Sequence, residues 1–223
     1  MFDWDSMKNK IILADNKDVM KDIPDKFFEL AIVDPPYGIG ESQKQRKNTP
    51  CKKWQSAKND IQYIKKQWDG NIPDENYFKE LFRVSKNQIV WGGNYFSKFL
   101  PSSMGWIFWD KKNGDSDFSD GEIAFTSFNK GLRKFDWLWS GFKKQQPEQR
   151  IHPTQKPVAL YRWILQNYAK PGDKIIDTHS GSGSLACACH LEKYDFLAIE
   201  KDEDYYKASC DRLETLRSQG TLF

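Results

Sequence analysis

Histidine and cysteine are scarce in this sequence, three and four residues among 223. Cys51, Cys187, Cys189 and Cys210 form no C-x-x-C pair, and His152, His179 and His190 form no H-x-x-x-H pair. Structural zinc needs ligands at such short spacings, so no metal is expected. Cys187 and Cys189 lie two apart in one helical stretch and point to different faces, as reduced, small core residues do. No run of about 18 apolar residues is present, and Met1-Phe2-Asp3-Trp4-Asp5 has no basic-then-apolar leader pattern. An intracellular, cytoplasmic protein without a membrane span is the expectation. Charge of one sign is also in short supply, since a net +3 does not by itself point to nucleic acid. What is present, 39% hydrophobic and 29% charged residues over this length, suits one full α/β core with a polar surface.

The distribution of charge says more than its sum. Between Lys44 and Lys66 the only acid is Asp60, against Lys44, Arg46, Lys47, Lys52, Lys53, Lys58, Lys65 and Lys66, with Trp54 and Tyr63 interleaved. Cations with aromatics suit phosphates and unstacked bases, although a solvated loop has the same composition. The segment directly follows Ile32-Val33-Asp34-Pro35-Pro36-Tyr37-Gly38. There a buried-type strand runs into an acid, two prolines that cannot continue a sheet ladder, and an aromatic. A carboxylate held at a strand end beside a ring suits a flat hydrogen-bonding ligand. A plain Pro-rich turn is the alternative.

Further strands are read at Lys10–Ala14, Gln88–Trp91, Trp106–Trp109, Glu122–Thr126, Lys174–Ile176 and Phe196–Ile199. Trp137 and Trp139, two apart, read as one face of another. Helices are expected at Asp18–Ile23, from Pro73 through Phe82, at Asn94–Leu100, from Pro157, after Ser184, and from Asp204 to about Arg217. Strands alternating with helices give an α/β fold, a mostly parallel sheet with helices on both faces. Four strands end in an acid, at Asp15, Asp34, Asp177 and Glu200. In a parallel sheet these ends share the edge where ligands bind.

Gly181-Ser182-Gly183-Ser184-Leu185-Ala186 fits G-x-G-x-x-A between a strand and a helix, with Glu200 about 20 residues beyond the first glycine. A dinucleotide would satisfy that pattern. Asp177 opposes it, because a carboxylate just before the loop repels a pyrophosphate and favours a cationic amino-acid group. S-adenosylmethionine carries a ribose, an adenine, an ammonium and a sulfonium, and no phosphate, and it matches Asp177 plus Glu200 better.

Asp34-Pro35-Pro36-Tyr37 early, His152-Pro153-Thr154-Gln155-Lys156-Pro157 in the middle and Asp177-x-x-x-Gly181-Ser182-Gly183 late together resemble the DNA amino-methyltransferases. More narrowly, they resemble the permuted adenine-N6 class, in which the catalytic motif precedes the cofactor loop. The resemblance runs from about Ile11 to Arg212 and implies one Rossmann-like, S-adenosylmethionine-dependent methyltransferase domain over 1–223. It implies that Asp34, Pro35, Pro36 and Tyr37 are catalytic. Asp15, Lys156, Pro157, Asp177, His179, Ser180, Gly181, Ser182, Gly183, Ser184 and Glu200 would bind the donor. Lys44, Arg46, Lys47, Lys52, Lys53 and Trp54, in a 41–66 insertion, would grip DNA, and 129–150 would be a short target-recognition segment.

Two departures stand out. The family commonly has Asp-Pro-Phe where this chain has Asp177-Thr178-His179, so His179 stands where an aromatic ring is usual. The recognition segment is short, which leaves specificity short, relaxed, or borrowed from the basic loop or the second subunit of a homodimer. Cytosine-N4 methylation follows the same logic, although that class more often has Ser at the Asp34 position. RNA as substrate, a dinucleotide-dependent oxidoreductase and a catalytically silent nucleic-acid-binding subunit are the other readings.

Overall fold

The computed structural model describes residues 2–39, 70, 72–113, 119–140, 143–146, 148 and 150–220. The 41–66 insertion, with Lys44, Arg46, Lys47, Lys52, Lys53 and Trp54, lies outside the described residues. In chain order the elements are α1 (Trp4–Met7), β1 (Lys10–Leu13), α2 (Asn16–Asp22), β2 (Phe28–Val33), α3 (Glu75–Val84), β3 (Ser85–Trp91), β4 (Trp106–Asp110) and β5 (Gly121–Thr126). There follow β6 (Arg133–Asp136), β7 (Trp139–Ser140), β8 (Lys143–Lys144), α4 (Val158–Tyr168), β9 (Lys174–Asp177), α5 (Ser184–Glu192), β10 (Asp195–Glu200) and α6 (Glu203–Ser218).

Aspartates, Asp3, Asp15, Asp74 and Asp202, open four of the helices by taking up amide donors that the first turn leaves unpaired. Asp15 accepts from the Lys17 amide at 2.9 Å, Asp74 from that of Tyr77 at 2.9 Å, and Asp202 from that of Asp204 at 3.0 Å. The helix expected to open at Pro73 therefore starts one residue after its Asp74 cap.

Eight strands form one sheet in the order β1-β10-β9-β2-β3-β5-β4-β6. The first five run parallel, and β5 is antiparallel to both β3 and β4. Alternate side chains of the central strands go to opposite faces, so both faces are buried and the strands read as continuous apolar runs. Leu30, Ile32, Ile175 and Ala198 pack with Leu160, Ile164, Leu185 and Leu213 of α4, α5 and α6. Ala31, Val33, Ile176 and Leu197 pack with Met20, Phe78, Leu81 and Val84 of α2 and α3. Cys187 and Cys189 are free and buried in the first of these cores.

Two expectations need correction, and one strand, β6, was not expected. Asn94–Leu100 is not a helix but a chain of tight turns, with Tyr95 N bonded to Gly92 O, Phe96 N to Gly93 O and Phe99 N to Phe96 O. Gly92 has a left-handed φ of 67°, which starts a turn, and the turns then bring Phe96 into the core and Phe99 onto the Phe78 ring. Trp137 and Trp139 do not share a strand face. Trp137 follows β6 and stacks on Phe135, while Trp139 begins β7 and donates its indole N–H to Gln155 O at 3.0 Å. β6 itself was unread because Arg-Lys-Phe-Asp offers one apolar residue, Phe135, to the core.

Candidate active site

The four acid-ended strands are consecutive neighbours in the sheet, β1, β10, β9 and β2, so their carboxyl ends line one edge. A cavity of about 400 Å³ opens there. From the candidates it draws Asp34, Pro36, Lys156, His179, Ser180, Gly181, Ser182, Ser184 and Glu200 into its lining. His152 of the His152–Pro157 segment joins them, as do Asn16, Tyr161, Thr178 and Tyr205, which had not been singled out for it.

Other candidates sit behind that lining. Asp15 spends its side chain capping α2, and its neighbours Ala14 and Asn16 face the cavity instead. Pro157 is the cap residue of α4. Asp177 is buried just below the lining residues Thr178 and His179, accepting from the His179 amide at 3.0 Å. Gly183 supports from behind. Its φ of 69° starts α5, and a Cβ there would lie 3.0 Å from Ser209 Cβ, so glycine lets the loop close on α6.

Backbone amides hold the acid of β10. Glu200 accepts from Gly181 N at 2.7 Å and from Asp202 N at 2.9 Å, and burial still pushes its carboxyl up. Asp177 goes further. Burial first, then the charges of Asp34 and Glu200, raise it to about 8, against the pull of the His179 amide. His179 goes the other way, since burial lowers its imidazole to about 3 and leaves a neutral ring at pH 7. Asn16 Nδ2 lies 3.1 Å from its Nε2 and Thr178 Oγ1 3.0 Å from its Nδ1, so this ring is pinned where the family commonly has an aromatic.

The His152–Pro157 segment is tied to the glycine loop. Ser184 Oγ donates to Lys156 O at 2.7 Å, and Arg212 of α6 donates to Ser182 O, Ser184 Oγ and Glu148. Glu148 in turn accepts from the Val158 amide at 3.0 Å, the first residue of α4.

The Asp34 turn is held differently, by charged side chains. Tyr37 OH donates to Asp34 Oδ1 at 2.6 Å, and Lys156 Nζ lies 2.5 Å from Asp34 Oδ2. Lys156, expected at the donor, thus sends its ammonium to the Asp34–Tyr37 turn, with a side chain only 3% exposed. It also pairs with Glu122 Oε2 at 3.1 Å, and Lys111 reaches Glu122 Oε1 at 2.5 Å. Burial opposes ionisation of Glu122, yet Lys156 and Lys111 hold its carboxyl down to about 2. Burial likewise works against the Lys156 cation, and Asp34 and Glu122 outweigh it and raise the ammonium. Asp34 is raised by burial, with Lys156 offsetting part of this and Glu122 adding to it. A buried pair stripped of one member costs about 3–5 kcal/mol, so the cluster is held as a unit.

Tyr37 packs its ring edge on Gly92, where a Cβ would fall 2.3 Å from Tyr37 Cε1. Tyr95 stacks on the same ring at 4.9 Å, with planes 14° apart, and is itself 43% exposed. Sequence reasoning missed Glu122, Lys111, Gly92 and Tyr95. An acid opening an apolar strand and a tyrosine after two glycines carry no signal of their own.

A family model described as N6_N4_Mtase, DNA methylase, matches residues 87–211, more than half of the chain. The matched stretch holds the His152–Pro157 segment and the glycine loop, and the Asp34–Tyr37 turn precedes it. Type II methyltransferase M2.MboI of Moraxella bovis is 26% identical over 141 residues, 63% of this chain and 52% of that protein. The chain thus spans about half the length of that relative. Among solved structures, M1.HpyAVI in complex with SAM gives a TM-score of 0.59 at 19% identity, over 91% of this chain and 98% of that one. PvuII DNA methyltransferase (cytosine-N4-specific) gives 0.58 at 12% identity, over 93% and 89%. At such identities the likeness is one of fold, the Rossmann-like methyltransferase sheet expected from the sequence. With the family match covering more than half of the chain, including β9, β10 and the glycine loop between them, this chain belongs to the N6_N4_Mtase family of DNA methylases.

Proposed function

We propose that this protein transfers a methyl group from S-adenosylmethionine to the exocyclic N6 amine of adenine in DNA. The observation that carries the reading is Asp34, a half-buried carboxylate at a strand end, facing the same cavity as the glycine loop and Glu200. The lining fits the donor chemically. Ser180 Oγ is buried there without a hydrogen-bond partner, and Asp177 lies beneath with no countercharge sufficient to keep it ionised at pH 7. Glu200 keeps lone pairs for ribose hydroxyls after taking its two amide donors. Bound there, S-adenosylmethionine supplies a methyl group on a cationic sulfur.

The chain's own residues act on the amine. An adenine amine is a poor nucleophile because its lone pair is delocalised into the ring. Asp34, together with the Pro35 carbonyl, accepts its N–H groups and draws the nitrogen towards a tetrahedral shape. Positioning and fixed charge supply the rate, no strong general base is needed before transfer, and the surplus amine proton leaves afterwards by way of the Asp34 carboxylate to water. His179 is neutral and pinned, which suits packing rather than proton transfer. The base leaves the duplex to reach this depth, and Tyr37 is the ring it stacks on.

Cytosine N4 is the second reading, favoured by the likeness to the PvuII enzyme. Both bases present an amine beside a ring nitrogen. Mass spectrometry of nucleosides from DNA of cells expressing the protein separates the two. N6-methyldeoxyadenosine is expected, N4-methyldeoxycytidine would transfer the reading to cytosine, and neither product would overturn it.

A further inference from the structure

We infer that Lys156, clamped between Asp34 and Glu122, is the positioning residue that holds Asp34 as a charged acceptor for the target amine. The inference rests on the proposed methyl transfer and deepens it. Lys156 Nζ lies 2.5 Å from Asp34 Oδ2 and 3.1 Å from Glu122 Oε2, with the Trp91 ring 5.3 Å and the Tyr37 ring 5.6 Å away. Lys111 takes the other oxygen of Glu122 at 2.5 Å, so two carboxylates and two ammonium groups close into a neutral set. The main chain of the same lysine is fixed from the other side, its carbonyl accepting from Ser184 Oγ at 2.7 Å. One residue thereby links the glycine loop to the acceptor carboxylate.

The geometry leaves room for substrate. Tyr37 OH and Lys156 Nζ each use one position on a different oxygen of Asp34. A carboxylate oxygen accepts about two hydrogen bonds, so each retains a free position. Loss of the lysine would leave Asp34 and Glu122 to share the site with Lys111 alone. Among the described residues, the ionisable groups that face Asp34 are Tyr37 on its own turn, Lys156 before α4, Tyr161 on α4, Glu122 on β5 and Asp177 on β9. Lys156 is the one cation among them. Without it Asp34 takes up its proton at higher pH, and once protonated it presents an O–H where an acceptor is required and no longer draws on the amine.

The test follows Asp34 directly, by carboxyl carbon NMR of the full chain labelled at aspartate, with Asp34→Asn assigning the signal. Lys156→Met is expected to move the Asp34 midpoint upward by about 1–3 pH units, the usual effect of an adjacent opposite charge. Glu122→Gln removes a neighbouring negative charge and is expected to move it downward. Single-turnover methyl transfer by Lys156→Met should fall about tenfold for each pH unit below the new midpoint and recover above it. An Asp34 midpoint unmoved in Lys156→Met, or transfer reduced equally at every pH, overturns the inference. If Lys156→Met does not fold, an unmoved or raised midpoint in Glu122→Gln overturns it instead. Wild-type protein that shows the expected NMR behaviour but methylates no amine in DNA would bring down the proposed function, and with it the role given to the lysine.

Discussion

The two halves of the cavity are built by opposite means. On the β1, β10 and β9 side, backbone does the holding. Gly181 and Asp202 amides fix Glu200, the His179 amide fixes Asp177, and neither the Glu200 nor the Asp177 carboxyl is ion-paired with a lysine among the described residues. On the β2, β3 and β5 side, side chains hold one another, Asp34 and Glu122 by Lys156 and Lys111, and Tyr37 by Asp34 and Gly92. The first half is left electrostatically open for a cation. The second is closed on itself and neutral, fit for an uncharged base. Changes in one half should therefore disturb binding of one substrate and spare the other.

Asp34→Ala puts the sharpest strain on that separation. Transfer is expected to fall at least about 10³-fold, since both a positioned acceptor and a fixed charge are lost. Binding of labelled S-adenosylmethionine should be largely unchanged, and near wild-type methylation of DNA would show that Asp34 is not the acceptor. Gly92→Ala comes next. Its Cβ has no room beside Tyr37, and the φ of 67° is strained for alanine. Tyr37 must shift, and a displacement near 1 Å costs about 10²-fold in transfer. Equal losses of donor binding and transfer would mean that the two halves are one mechanical unit.

The same division governs how much was legible in the sequence. The donor side is local. The glycine loop, its helix and Glu200 fall between residues 177 and 200, and their spacing carries the physics of a tight turn and a strand-end acid. The parallel sheet was legible for a similar reason, because strands buried on both faces read as apolar runs. The acceptor side is assembled from residues 34, 92, 111, 122 and 156, brought together only by the sheet order. No spacing rule joins Glu122 to Lys156. The lysine was visible within its motif, yet its main chain faces the donor loop and its ammonium faces the acid. Residue type alone does not separate those two roles.

Asp177 offers a test on the donor side, through stability rather than rate. Burial raises its carboxyl from an ordinary 3.8 to about 8 in the folded chain. Between those values the unfolded state is ionised and the folded state keeps its proton, so rising pH costs stability there. Asp177→Asn removes the penalty. In the absence of donor, its melting temperature is expected to exceed that of wild type by a margin that grows from pH 4 to pH 8 and is flat above. Each kcal/mol regained is worth about 2–4 °C in a chain of this size. Donor binding should weaken in the same variant. A melting difference that does not vary with pH would mean that Asp177 is ionised throughout, which would remove the contrast between an open and a neutral half.

The smallest expected effect lies at Tyr95, where the acceptor half meets solvent. Tyr37 is covered on one side by the Tyr95 ring at 4.9 Å and approached by Lys156 at 5.6 Å. A base that stacks on Tyr37 must displace one of these. Lys156 is buried in ion pairs, whereas Tyr95 is 43% exposed on a chain of turns. The tyrosine is the group that yields. An aromatic pair contributes about 0.5–1.5 kcal/mol beyond its buried area, so Tyr95→Ala should lower the KM for target DNA about 2- to 10-fold. The turnover number should change little, because the ring is out of the way once the base is in place. A loss of turnover as large as that of Gly92→Ala would instead make Tyr95 a prop for Tyr37, and the neutral half would then extend to the protein surface.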